Sequence, residues 1–209
     1  MIIQGSPEWF AARVGKITAS RVVDVMARTK TGWGASRANY AAELIAERLT
    51  GNSAPGFTND AMRWGTDTEP YARLEYSRRF DVSVYEIGFV DHPEVAMSGA
   101  SPDGLVGSDG LIEIKCPNTA THLDTLLSGS VPGKYITQMQ WQMACTGREW
   151  CDFASFDPRL PLNMQLFVQR VPRDVGLILD LETEVSAFHD EIEAKLSDLR
   201  RIYGEKVAA

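Results

Sequence analysis

Apolar positions recur at helical spacing through the first third of the chain, shift toward alternation in the middle, and return to helical spacing at the end. Ser6-Pro7-Glu8 reads as an N-cap, a proline at the first helical position and a first-turn acid, opening a short helix through Arg13. Thr18 or Ser20 caps a second helix carrying Val22, Val23, Val25 and Met26. Thr29 to Ala35 reads as a polar, glycine-containing loop. Ser36 begins a longer helix in which Tyr40, Leu44, Ile45 and Leu49 share a face before Gly51 stops it. Asn52 to Phe57 is a Pro/Gly loop, and Asn59 to Phe80 is helical in pattern. Gly65 and Pro70 interrupt that pattern, so a second segment is expected to open at Pro70, just after Glu69.

The period then changes. Val82, Val84, Ile87, Phe89 and Val90 predict one extended strand. Val95 to Gly99, Gly104 to Val106 and Leu111 to Ile114 predict short strands in a meander, with turns at Asp103-Gly104 and Asp109-Gly110. Thr119 to Leu127 and Gly133 to Thr146 predict helices, the latter ended by Gly147. Trp150 to Phe156 and Met164 to Val171 predict strands, and Arg173 to Tyr203 a long, acid-rich helix. This order predicts an α/β (α+β) fold, and 209 residues without a linker or repeat fit a single domain over 1–209.

Composition narrows the class. No stretch approaches the ~20 apolar residues that span a bilayer, and Met1 to Phe10 lacks the pattern of a signal peptide. A membrane role is not expected, and a cytoplasmic location is. Cys116, Cys145 and Cys151 form no CxxC pair, which argues against a disulfide framework and a four-cysteine metal site. The net charge of -7 argues against a nucleic-acid partner, but the charge is unevenly spread. Residues 1–40 carry six basic side chains against two acids, a net of +4, while 173–209 carry a net of -4. A basic surface inside an acidic whole is one reading of this, and chance is the other.

The chemistry concentrates in Ser101-Pro102-Asp103-Gly104 and Glu113-Ile114-Lys115-Cys116-Pro117. Glu113 and Lys115 are two apart on an apolar strand and point to one face. Charges on a buried strand are costly unless paired or bound to a metal. A hairpin would bring Asp103 beside Glu113, and a hard divalent cation would relieve the repulsion between the two carboxylates. Such an ion lowers the pKa of a bound water and stabilises charge on a phosphoryl group. Lys115 would then orient or help deprotonate the water. The plain alternative is a structural ion pair between Lys115 and Glu113 or Asp103.

These segments resemble the PD-(D/E)xK nucleases, and more narrowly the phage lambda exonuclease family of YqaJ-like viral recombination nucleases. Matching blocks run in family order from Trp9 to Arg159. They include Gly15-Lys16-Ile17-Thr18-Ala19-Ser20, Ala61-Met62-Arg63-Trp64-Gly65 with Glu69, and Gln138-Met139-Gln140-Trp141. The resemblance implies a restriction-endonuclease-like core, with a central mixed sheet flanked by helices. It implies 5′→3′ digestion of one strand of linear double-stranded DNA to mononucleotides, leaving a 3′ overhang for recombination by annealing. Asp103, Glu113 and the Ile114 carbonyl would bind Mg²⁺, with Glu69 supporting a second ion and Mn²⁺ as a substitute. Lys115 would contact the nucleophilic water, and Arg13, Ser20 and Gln138 would hold the 5′-phosphate. Met62 would act as a strand-separating wedge, and Lys30 would touch the DNA backbone. Taken singly, several of these are ordinary surface or packing residues, and their roles come only with the resemblance. It also implies DNA ends as substrate, a homotrimer, a single-strand annealing partner and a phage or prophage setting. A PD-(D/E)xK endonuclease and an inactive DNA-binding recombination scaffold remain as alternatives.

Overall fold

The Ser6 hydroxyl accepts the Trp9 N–H and caps the first helix, α1 (Pro7–Arg13), as its position before Pro7 predicts. A computed structural model of the chain describes residues 2–53 and 59–204. The Asn52 to Phe57 loop therefore lies largely outside the described residues. After α1 come a short strand β1 (Ile17–Thr18), a 3₁₀ turn over Ala19–Arg21 and the helix α2 (Val22–Val25). Neither Thr18 nor Ser20 caps α2: Thr18 precedes the 3₁₀ turn and makes no side-chain cap bond.

The predicted polar loop is a hairpin. β2 (Arg28–Thr29) pairs antiparallel with β3 (Gly32–Trp33), and Lys30 stands in its turn. Cation–π contacts hold it together, because Trp33 lies 3.8 Å from both the Arg28 and the Arg37 guanidinium. α3 (Ala35–Thr50) ends at Gly51 in the left-handed region at φ 70°, as its glycine predicts.

α4 (Asp60–Phe80) corrects the expectation of a break at Pro70, because one helix runs straight through it. Pro70 faces solvent, whereas Thr68, Ala72 and Tyr76 are buried against the sheet. That burial holds the helix together despite the missing N–H.

The expected strand over Val82 to Val90 is also corrected. It divides into β4 (Val84–Tyr85) and β5 (Val90–Asp91), which join different sheets. The strand expected over Val95 to Gly99 begins only at Ser98, giving β6 (Ser98–Ala100). Before it, the His92 Nδ1 accepts the N–H groups of Glu94 and Val95 and holds the chain in a turn. β7 (Gly104–Val106) and β8 (Gly110–Lys115) form the predicted hairpin. The meander stops there, since β6 belongs to a separate three-stranded sheet in the order β1-β6-β5.

α5 (Thr119–Ser128), α6 (Gly133–Thr146) and β9 (Trp150–Phe156) fall within a residue of expectation. β10 (Leu166–Pro172) follows a 3₁₀ turn over Leu162–Met164, and α7 (Val175–Tyr203) closes the described chain. The main sheet has the order β10-β9-β8-β7-β4. Only the β8–β9 pair is parallel, so the sheet is mixed and β8 is its central strand.

Both faces of β8 are covered, which accounts for its unbroken apolar run. Ile112 and Ile114 pack with Ala72 and Tyr76 of α4. Leu111 packs on the other side with Met139 and Met143 of α6. Elsewhere, α7 buries Ile178, Leu181, Val185, Phe188, Ile192 and Leu196 along one stripe, in a core shared with Tyr40 and Leu44 of α3.

The charge asymmetry has a structural outlet. Arg28, Arg37 and Arg48 pair with Glu184, Glu191 and Glu193 of α7. Lys16 pairs with Asp91, and Arg21 with Asp24 and Glu43. Much of the N-terminal basic excess thus holds the fold together instead of forming an open basic surface. No helix among the described residues is long and apolar enough to cross a membrane.

Candidate active site

The β7–β8 hairpin sets the geometry. Gly104 pairs with Ile112 across it, and a Cβ at Gly104 would run into the Val84 side chain on the edge strand. Only glycine lets the three strands close here. Asp103, just before Gly104, then reaches β8. Its Oδ2 accepts the main-chain N–H of Ile114 at 2.6 Å, between Glu113 and Lys115. The juxtaposition expected from sequence is therefore present.

Glu113 is fully buried. Its Oε1 accepts the Gln138 amide at 2.7 Å and pairs with Lys115 Nζ, while its Oε2 accepts the Gln142 amide at 2.6 Å. Gln138 and Gln142 are one turn apart on α6, so one helix face serves both carboxylate oxygens. Burial disfavours the charge on Lys115, but Glu113 and Asp103 outweigh it and hold its pKa above the ordinary lysine value. The Lys115 ammonium also lies 5.3 Å from the Tyr135 ring centroid, and Tyr135 stacks on Phe153.

Asp103 is the mirror image. Burial and then the nearby Glu113 push its carboxyl well above the usual range, against the opposing pull of Lys115. Glu69 lies on α4 and accepts Arg73 at 2.5 Å. Burial raises its pKa too, and Arg73 and Lys115 oppose that shift. Three carboxylates thus share one low-dielectric neighbourhood.

Two cavities flank the end of β8. The smaller, about 160 Å³, is lined by Arg13, Ser20, Ser101, Asp103 and Gln138, among others. It gathers all three residues assigned to the 5′-phosphate together with a carboxylate from the chemical centre. Arg13 lies 4.0 Å from the Trp9 ring centroid and donates to the Ser101 hydroxyl at 3.4 Å; Trp9 Nε1 donates to the same oxygen at 2.9 Å. The larger cavity, about 670 Å³, is lined by Met62, Glu69, Ile114, Lys115, Lys134 and Tyr135, among others. Met62 is 53% exposed at its rim, in the first turn of α4. Lys30 is exposed and lines neither cavity.

Trp9, Ser101, Lys134, Tyr135 and Gln142 received no role from sequence. Ser101 opens the Ser-Pro-Asp-Gly block, and Gln142 follows Gln138 at helical spacing, so both carried a faint signal. Cys116 lines the larger cavity, but burial pushes its thiol up to about 12, which makes it an inert packing group at neutral pH.

The donor chemistry suits a hard cation. Asp103 and Glu113 offer carboxylate oxygens, and Ile114 offers a carbonyl between Glu113 and Lys115. Burial first, and then the negative charge of Glu113, disfavour the ionised form of Asp103, and a bound cation would favour it. Among the described residues, no three His, Cys, Asp or Glu side chains form a group that could hold a metal ion by themselves.

The YqaJ-like viral recombinase domain matches residues 8–149, which contain the whole chemical centre. The chain belongs to that family. Its fold superposes on that of an alkaline exonuclease, LHK-Exo from Laribacter hongkongensis, with a TM-score of 0.89 and 57% identity. That match covers 94% of this chain and 97% of the other. LHK-Exo is also known in complex with dAMP, at the same similarity. A phage-related exonuclease from Haemophilus somnus 129PT shares the fold at a TM-score of 0.72 and 17% identity, over 88% of this chain and 96% of that one. The family's mixed sheet and flanking helices are thus the architecture expected from sequence. An uncharacterized protein of Acanthamoeba polyphaga mimivirus is 26% identical over 167 residues, or 72% of this chain. The chain spans 28% of the length of that curated relative.

Proposed function

We propose that the chain, a deoxyribonuclease by its family and by its likeness to an alkaline exonuclease, digests one strand of linear double-stranded DNA 5′→3′ to mononucleotides. The 3′ single strand left behind would serve recombination by annealing. The observation that carries this reading is the cavity in which Arg13, Ser20 and Gln138 meet Asp103. An end-binding pocket abutting the chemical centre suits an enzyme that measures one nucleotide from a terminus. The complex of LHK-Exo with dAMP supports a mononucleotide product.

Mg²⁺ is the proposed metal, with Mn²⁺ as its substitute. Asp103, Glu113 and the Ile114 carbonyl would hold one ion, and Glu69 would support a second. When bound, such ions supply Lewis acidity and lower the pKa of a coordinated water. The protein's own groups do the rest. Lys115 orients the attacking water and offsets charge on the phosphate. Arg13 grips the 5′-phosphate with two parallel N–H donors, and the Ser20 hydroxyl and Gln138 amide add neutral ones. Met62, at the rim of the larger cavity, inserts between terminal base pairs, where its apolar side chain offsets part of the unstacking cost. Lys30, at an exposed hairpin tip, contacts the DNA backbone. A single nuclease domain over 1–209, a homotrimer and a single-strand annealing partner complete the reading, and rest on the family.

The test uses Mg²⁺ with linear duplexes labelled at the 5′ or 3′ end, beside closed circular DNA. Early release of the 5′ label as mononucleotide with an intact circle is expected. A cut circle would replace the reading with an endonuclease, and well-folded protein that cuts nothing would leave a DNA-binding scaffold. Arg13→Ala should reduce the preference for 5′-phosphorylated over 5′-hydroxyl ends by about tenfold or more, the size of a lost charge-assisted hydrogen bond. Initial rates on the two ends measure this, and an unchanged ratio would move the phosphate elsewhere.

A further inference from the structure

Of the two amides that hold Glu113, one faces a cavity and the other does not. Gln138 lines the smaller cavity beside Arg13. Gln142 is fully buried and lines neither flanking cavity. We propose that Gln142 is a positioning residue that fixes the plane of the Glu113 carboxylate. This rests on the reading that Glu113 is a metal ligand.

Three observations carry it. Gln142 Nε2 donates to Glu113 Oε2 at 2.6 Å, whereas Gln138 and Lys115 both address Oε1. Gln142 is thus the donor that holds the second oxygen. The terminal torsion of a glutamate is broad and roughly two-fold, so donors on one oxygen alone leave the carboxylate plane free to swing. Donors on both oxygens pin it.

Next, the Gln142 Oε1 is buried and has no hydrogen-bond partner among the described residues. Most buried polar atoms find a partner. This amide leaves its acceptor orphaned to keep its donor on Glu113. Turning the amide over would set oxygen against carboxylate oxygen, so its orientation is fixed by the charge it serves.

Finally, Gln142 sits in a largely apolar stretch of α6 that also holds the buried Gln140. Its α6 neighbours Met139, Trp141, Met143 and Ala144 are buried apolar residues. Magnesium demands near-ideal octahedral geometry, so a ligand free to rotate binds it less well. Partners behind a metal ligand typically change affinity by 10- to 100-fold.

The experiment compares Gln142→Met with Gln140→Met in the full-length protein. Gln140 is the matched control. It is also buried on α6, but it donates to the Pro172 carbonyl at 2.8 Å and accepts the Asp174 N–H at 2.9 Å, so it holds only the fold. Calorimetric titration of Mn²⁺ and Mg²⁺ without DNA gives affinity, initial rates give kcat and KM, and melting gives stability. Gln142→Met should weaken the ions by about 10- to 100-fold. It should lower kcat at limiting Mg²⁺ with KM for DNA held within about twofold, and excess Mg²⁺ should restore part of the rate. Gln140→Met should lower Tm and leave ion affinity unchanged. If Gln142→Met misfolds, Gln142→Asn keeps the amide but draws it back by one methylene, and should show the same loss of affinity. Wild-type ion affinity and kcat in a folded Gln142 variant would overturn the proposal and leave Gln142 a packing residue. Wild-type protein that neither binds the ions nor cleaves DNA would overturn the functional reading beneath it.

Discussion

Lys115→Ala is expected to lower the rate of DNA cleavage by about a thousandfold while DNA binding stays near the wild-type level. The magnitude follows from the role proposed for the ammonium: fixed charges and positioned proton donors near a reacting phosphate are each worth about 10²- to 10⁴-fold. Binding is spared because the proposed phosphate pocket around Arg13 and Ser20 does not include this side chain. The competing view, a structural ion pair with Glu113, makes a different prediction. Glu113 is fully buried, so removing Lys115, its one cationic partner among the described residues, would leave a charge supported by two amides. On that view Tm falls and the folded fraction cleaves normally. Single-turnover rates at saturating enzyme, read beside Tm and a binding isotherm, separate the two. Retained turnover in folded protein would remove lysine from the mechanism, whatever happens to stability.

The chemical centre was legible because its parts are close in sequence and tied by one hairpin. Asp103, Glu113 and Lys115 span thirteen residues, and strand alternation alone puts the last two on one face. The paired register Gly104–Ile112 then carries Asp103 to Ile114. α6 and β9 were legible for the same local reason, each bounded by its own turn residues. What failed were features decided by distant contacts. Pro70 lies inside α4 because Ala72 and Tyr76 are buried against β8, β9 and β10, which no local signal reports. Val82 to Val90 reads as one strand because it is apolar-rich throughout, yet its apolar positions change parity between Val84 and Ile87, and its two ends pair with β7 and β6 in different sheets. The basic N-terminal excess leaves a basic surface and chance both open, and its use is decided by distant contacts: Arg28 and Arg37 meet α7 from about 150 positions away. The smaller cavity, proposed to take the 5′-phosphate, sits between these cases. Arg13 and Ser20 entered through family resemblance, and only the fold joins them to Ser101 and Asp103.

The site also carries a cost that a substitution can expose. Asp103→Asn should abolish turnover, by a thousandfold or about that, and at the same time raise the Tm of the metal-free protein at neutral pH. Burial and the neighbouring Glu113 hold the Asp103 carboxyl well above its ordinary range. A carboxyl raised in the folded state favours folding when protonated, so its contribution is present at low pH and lost as pH rises through the folded value. Above that point the ionised group opposes the fold. Asparagine keeps an oxygen to accept the Ile114 N–H and removes the charge, so it should remove that opposition. Added Mg²⁺ inverts the comparison: binding to the native state stabilises the wild type and should leave the Asp103→Asn variant almost unmoved. Melting both proteins with and without Mg²⁺, from pH 5 to 9, tests all of this at once. A variant less stable than wild type without metal would mean that the Asp103 charge supports the hairpin through Ile114 and is no reservoir of repulsion. A gain without metal and a deficit with it would show that the fold holds two carboxylates together for a cation, at the expense of its own stability.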